Sequence, residues 1–229
     1  MRQNSLAAMA NKRGGRGNAA RRYRGGKCDR LARSMRTLLL LAIAAGSAWA
    51  ADELTVYELL APATHSFDII YDVTATREGA PYFFNPIRQG SVATKERVID
   101  RATGKPLEFE TVDGRAAKAS GFVSASTAGD AQFLRVKLPR PVPKGAETRI
   151  RIYKTYTDPP SYYESGGGFV FDRPLGIKRN VVVLPKGYEL VGSRSPGIVS
   201  TDADGRVRIS FLNDRDDQLP VRIVGRKLP

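Results

Sequence analysis

Sulfur and indole are confined to the first part of this chain. Of 229 residues one is a cysteine, Cys28, three are methionines, Met1, Met9 and Met35, and one is a tryptophan, Trp49, so nothing after residue 50 carries either group. The segment 51–229 can therefore form no disulfide, offers no thiolate as nucleophile or metal ligand, and has no indole on which a sugar could stack. Histidine is as scarce: His65 is the single one, too few for a histidine-ligated zinc site. A Ser/His/Asp triad would have to be built on that same residue at a strand start, and a structural role is the expectation for it. No apolar run after residue 50 reaches the roughly 18 residues of a membrane-spanning helix, and no long stretch spaces its apolar residues as a helix does.

What the chain does have is positive charge. It carries 37 Lys and Arg against 23 Asp and Glu, a formal net charge of +14. Residues 1–36 hold 11 bases and one acid, Asp29, for a net of +10, whereas the remainder nets +4. Thr37 to Ala50 then reads TLLLLAIAAGSAWA, too short to span a bilayer and closed by Ala48-Trp49-Ala50, which matches the A-x-A pattern of a signal-peptidase site. Met35-Arg36 ahead of it complete a compact signal peptide, which makes Met35 the expected translation start. The expected organisation is a disordered basic extension over 1–34, a signal peptide over 35–50 and one domain over 51–229, periplasmic or secreted after cleavage. Cleavage would remove the basic arm, so nucleic acid is not an expected partner.

Within the domain the dominant period is two. Phe67, Ile69, Tyr71 and Val73 alternate with Asp68, Ile70, Asp72 and Thr74, and Leu134, Val136 and Leu138 alternate with Arg135 and Lys137. Ile150 and Ile152 alternate with Arg149 and Arg151, and Val207, Ile209 and Phe211 with Arg206, Arg208 and Ser210. Such alternation marks strands with one buried and one wet face, as in antiparallel sheets. Val181 to Leu184 is continuously apolar, as a strand buried on both faces would be. Turn residues at Asp113-Gly114, Pro139 to Gly145, Pro185-Lys186-Gly187 and Asp204-Gly205 punctuate the strands, and Gly79 to Gly90 and Asp158 to Gly168 read as loops. The fold class expected is all-β, a single antiparallel β-sandwich.

Three stretches carry a family resemblance: His65 to Thr74 (HSFDIIYDVT), Arg179 to Tyr188 (RNVVVLPKGY) and the closing hairpin Asp204 to Phe211 (DGRVRISF). Together they resemble the saddle-shaped β-sandwich that forms the N-terminal domain of gluzincin-type zinc aminopeptidases, and related exported bacterial proteins. The resemblance implies a β-sandwich over most of residues 52–228. The H-E-x-x-H zinc motif of those peptidases is absent, so the resemblance implies no catalytic residue here.

Charge again supplies the leading site. Residues 133–157 hold seven bases and one acid. If Leu134 to Leu138 and Arg149 to Tyr156 pair as a hairpin, Arg135, Lys137, Arg149 and Arg151 share its outer face, with Lys154 beside them, as a patch for an anionic partner such as phosphates of an envelope glycolipid. The alternative is a solvated face neutralised by acids such as Glu108 and Glu110. Tyr156, Tyr162, Tyr163 and Phe169 suggest an aromatic groove beside a Gly166 to Gly168 flap. The leading function is thus an exported, non-catalytic binding or assembly module of the cell envelope, with no cofactor and no metal. The competing reading is a carboxylate-dependent hydrolase at Asp158, Glu164 and Asp172. Asp202-Ala203-Asp204-Gly205 resembles the start of a calcium loop, but glycine directly after the second Asp and Asn213 at the last ligand position favour a type I′ turn.

Overall fold

The computed structural model describes residues 53–229, so the basic extension and signal peptide lie outside the described residues. The strands are, in chain order, β1 (Leu54–Leu59), β2 (Ser66–Ala75), β3 (Tyr82–Ile87), β4 (Val92–Asp100), β5 (Phe109–Asp113), β6 (Gln132–Lys137) and β7 (Thr148–Thr157). They continue with β8 (Tyr162–Ser165), β9 (Gly168–Leu175), β10 (Arg179–Val183), β11 (Tyr188–Ser193), β12 (Ile198–Thr201), β13 (Val207–Leu212) and β14 (Leu219–Lys227). One helix, α1 (Gly114–Ala119), starts at Asp113, whose carboxylate accepts from the Ala116 N–H as an N-cap. Among the described residues no helix is long and apolar enough to cross a membrane.

A seven-stranded sheet, β12-β13-β10-β1-β2-β7-β4, is covered on one face by two smaller sheets, β11-β14-β9-β8 and β3-β6-β5. The all-β sandwich is therefore as the alternation predicts. One pair departs from it: β1 runs parallel to β10, with Leu54 beside Arg179 and Glu58 beside Val183. Val182 and Val183 are fully buried, in keeping with a strand that is apolar on both faces.

Two cores result. Phe67 and Ile69 of β2, Tyr57 of β1 and Val182 of β10 pack against Phe169 and Phe171 of β9 under the four-stranded sheet. Val73 of β2 and Ile150 and Ile152 of β7 pack against Leu134 and Val136 of β6 under the three-stranded sheet. The long strands β2 and β7 thus feed both cores, and Tyr71 lies between them, touching each.

Three sequence expectations are corrected. The basic hairpin does not form: β6 pairs with β3 and β5, whereas β7 pairs with β2 and β4 in another sheet. Pro139, Pro141 and Pro143 have no N–H for a ladder, and Leu138 and Val142 donate to the carbonyls of Pro81 and Ala80, which leads the chain across to the other sheet. The glycine flap is a tight β8–β9 turn, with Gly166 and Gly167 both at positive φ (56° and 76°), as a two-residue type I′ loop demands. Gly79 to Gly90 is not a loop throughout, since it contains β3.

Glycine is required where β9 and β14 meet. A Cβ on Gly225 would lie 2.2 Å from the Phe169 ring, which is fully buried. We predict that Gly225→Ala destabilises the domain by about 1–3 kcal/mol through overpacking; an unchanged denaturant midpoint would contradict this packing.

Candidate functional site

The outward bases are neutralised locally. Arg135 Nε donates to Glu110 Oε1 at 3.1 Å across β5–β6, and Lys137 Nζ to Glu108 Oε2, just before β5, at 2.9 Å. On the large sheet Arg151 holds Asp72 through two hydrogen bonds of 2.6 and 2.7 Å, and Arg101 approaches the same carboxylate at 3.7 Å. Burial works against the Asp72 charge, but Arg151, Arg101 and the neighbouring Arg149 outweigh it and hold its carboxyl below the ordinary range. Arg135 and Lys137 therefore stand on a different sheet from Arg149 and Arg151, and the four share no patch.

The other sequence candidates also disperse. Tyr156, Tyr162 and Phe169 are core residues of the first cluster, and Tyr163, half-buried, lies beside Arg222 on the outer side of the four-stranded sheet. Asp158 is buried and paired to Arg173 at 2.7 Å, Asp172 is paired to Arg222 on the opposite face of β9, and Glu164 is exposed on β8. The proposed hydrolase carboxylates thus do not converge. Asp202 and Asp204 are engaged by Arg208 and Arg206 around a three-residue turn that ends at Gly205 with φ 82°, in place of the two-residue type I′ turn. Among the described residues no three His, Asp or Glu are grouped to hold a metal. His65 Nδ1 lies 3.0 Å from the Tyr162 carbonyl, and the residue itself has φ 52°, closing the short 3-10 turn Pro62–Thr64.

One sequence candidate gains a setting. On β7 the alternation that turns Ile150 and Ile152 inward also turns Lys154 inward, and its side chain is 7% exposed. It reaches the seam where the two small sheets fail to meet, a crevice of about 430 Å³. Thr55, Tyr57, Ile69, Tyr71 and Tyr156 form its floor, Asn85 and Pro86 one wall, and Arg173 and Pro174 the other. Lys154 Nζ donates to Asn85 Oδ1 at 2.5 Å and lies 4.8 Å from the Tyr156 ring centroid. No carboxylate stands within ion-pair distance of it among the described residues, and no acid lines the crevice. Burial foremost, then the charge of Arg173, push the Lys154 ammonium down to about 8, against a partial offset from Glu96 on the β4 bulge. Arg173, equally buried, sits 5.5 Å from the Phe67 and Tyr156 rings and is compensated by Asp158, which also accepts from Ser91.

Arg173 and Asn85 escaped the sequence reading. For Arg173 the signal was there: Phe169, Phe171, Arg173 and Leu175 occupy one alternating face. Asn85 gave none, since its segment read as a loop.

Two outcomes are expected. Arg151→Ala, which abandons the largely buried Asp72 carboxylate, costs about 1–3 kcal/mol, while Arg135→Ala costs within about 0.5 kcal/mol; equal losses in urea would contradict this contrast. For Lys154 the folded value lies below the unfolded value near 10.4, so the cost of the buried charge is fully present below about pH 8 and is relieved as pH rises toward 10.4. The melting-temperature difference between Lys154→Met and wild type should therefore shift in favour of wild type, by at most about 3 kcal/mol in stability, between about pH 7 and about pH 10. A pH-independent difference would contradict it.

No family model matches the chain, and no curated protein does. Among solved structures the chain is similar to an M1 zinc metallopeptidase from Deinococcus radiodurans, at 14% identity and a TM-score of 0.46, over 76% of this chain and 41% of that one. It is also similar to an aminopeptidase N family protein from Idiomarina loihiensis, at 7% identity and a TM-score of 0.44, over 76% of this chain and 29% of that one. This chain spans less than half the length of either, and the likeness is a weak one, in the arrangement of strands.

Proposed function

We propose that residues 51–229 are an exported, non-catalytic binding module of the cell envelope that receives an anionic ligand in the crevice at Lys154. The observation that carries this reading is the Lys154 ammonium, 7% exposed and without a carboxylate partner among the described residues. A buried charge left in that condition costs several kcal/mol, and a ligand's negative charge would offset the cost. Arg88 also lines the crevice and no acid does, while Arg173 is matched by Asp158. The same inventory supports the non-catalytic part: Asp158 and Asp172 are each held by an arginine, Glu164 stands apart from them on β8, and His65 is tied into a turn. Export rests on the apolar segment 37–50 and its A-x-A end. Of the five basic residues singled out from the sequence, this reading keeps Lys154.

At low ionic strength, acetate, phosphate and heparin are each titrated against the melting temperature of the wild type and of Lys154→Met. An anion present at ten times its Kd should stabilise the wild type by about 1.4 kcal/mol and leave the variant unmoved. If no anion acts in a Lys154-dependent way, the reading falls. N-terminal sequencing of the exported product, expected to begin Ala51-Asp52-Glu53, checks the export half.

A further inference from the structure

We infer that the crevice takes a small organic carboxylate, with its acid group at Lys154 and Asn85 and its apolar body along the tyrosine floor. This inference rests on the crevice being an anion site and narrows it to one ligand class. Charge sets the valence. Arg173 is matched by Asp158 at 2.7 Å, so the single uncompensated charge at the floor is that of Lys154. A carboxylate cancels that charge, whereas a phosphate dianion or a polyanion would bring surplus charge for which the lining offers only Arg88 besides the matched Arg173. Glu96 is felt by Lys154 from the β4 bulge but is no ion-pair partner to it, and Arg88 lies exposed at the rim.

Hydrogen-bonding capacity sets the shape of the head group. An ammonium has three N–H donors, and Lys154 gives one of them to Asn85 Oδ1. That bond engages the Asn85 oxygen and leaves the amide nitrogen of the same crevice-lining side chain as a further donor, with no acceptor for it among the described residues. Two adjacent donors, one of them charged, suit the two oxygens of one carboxylate. The walls set the rest of the ligand. Tyr57, Ile69, Tyr71 and Tyr156 on the floor and Pro86 and Pro174 at the sides give an open, partly apolar crevice of about 430 Å³, the size of a small-molecule site.

Isothermal titration of the protein at low salt compares phenylpropionate and hexanoate with neutral phenylpropionamide, phosphate and heparin. Both carboxylates should saturate, and the amide should bind at least about tenfold more weakly because it lacks the charge. Lys154→Met should lose at least about tenfold in carboxylate affinity. Asn85→Asp, nearly isosteric and confirmed folded by circular dichroism, supplies Lys154 with a carboxylate of its own and should lose binding likewise, so the inference stays testable if the methionine variant fails to fold. Lys154-dependent binding of phosphate or heparin without binding of the carboxylates overturns this ligand class and leaves the anion-site reading standing. Absence of any Lys154-dependent binding overturns both.

Discussion

The pairing of β2 with β7, ten register pairs from Ser66 with Thr157 to Ala75 with Thr148, is the constraint on which the rest of the molecule depends. Its inward face is longer than either small sheet can cover, so one end is sealed by the four-stranded sheet and the other by the three-stranded sheet. Between the two covers a seam is unavoidable. Ile69 pairs with Lys154 there and Tyr71 with Ile152, and the polar and amphipathic side chains among them are those that tolerate partial access of water. The crevice is thus a product of the architecture: two cores on one strand pair leave a gap, and the gap is where a lysine can face inward at all.

Much of this was legible in the amino-acid order. The alternation at Phe67 to Val73 and at Ile150 and Ile152 predicts strands with the observed inward faces, and the run Val181 to Leu184 predicts a strand buried on both sides. The same alternation, carried two residues further, places Lys154 and Arg173 inward. Grouping Lys154 with its outward neighbours hid that, because local charge density is a property of sequence distance and a sheet separates adjacent residues onto opposite faces. The β6–β7 hairpin failed for a different reason. Proximity in sequence favours pairing, but a proline-rich connection has too few donors to fold back on itself, and the chain changes sheets there. Acids at Glu108 and Glu110 were recognisable as neighbours for Arg135 and Lys137; the capture of Arg151 by Asp72 follows only from register across β2 and β7.

The two inward cations differ in a manner that fits their chemistry. A guanidinium stays charged under all ordinary conditions, so Arg173 needs a permanent counter-ion, which Asp158 supplies. An amine can shed its proton. Lys154 is held down to about 8, so it stays mostly charged near neutral pH and gives up its proton only a little above it. Exchanging the two residue types would leave a fixed, uncompensated charge where the lysine now stands.

The parallel contact between β1 and β10 bears on how such a chain comes to be folded. β1 stands at the start of the described residues, and its partners are β2, close by, and β10, separated from it by most of the domain. The large sheet therefore stays incomplete until β10 and then β13 have been synthesised, and closing that distant pair sets a slow, late step. Before it, the nascent polypeptide holds an unfinished sheet whose open strand edge is prone to pair with other chains.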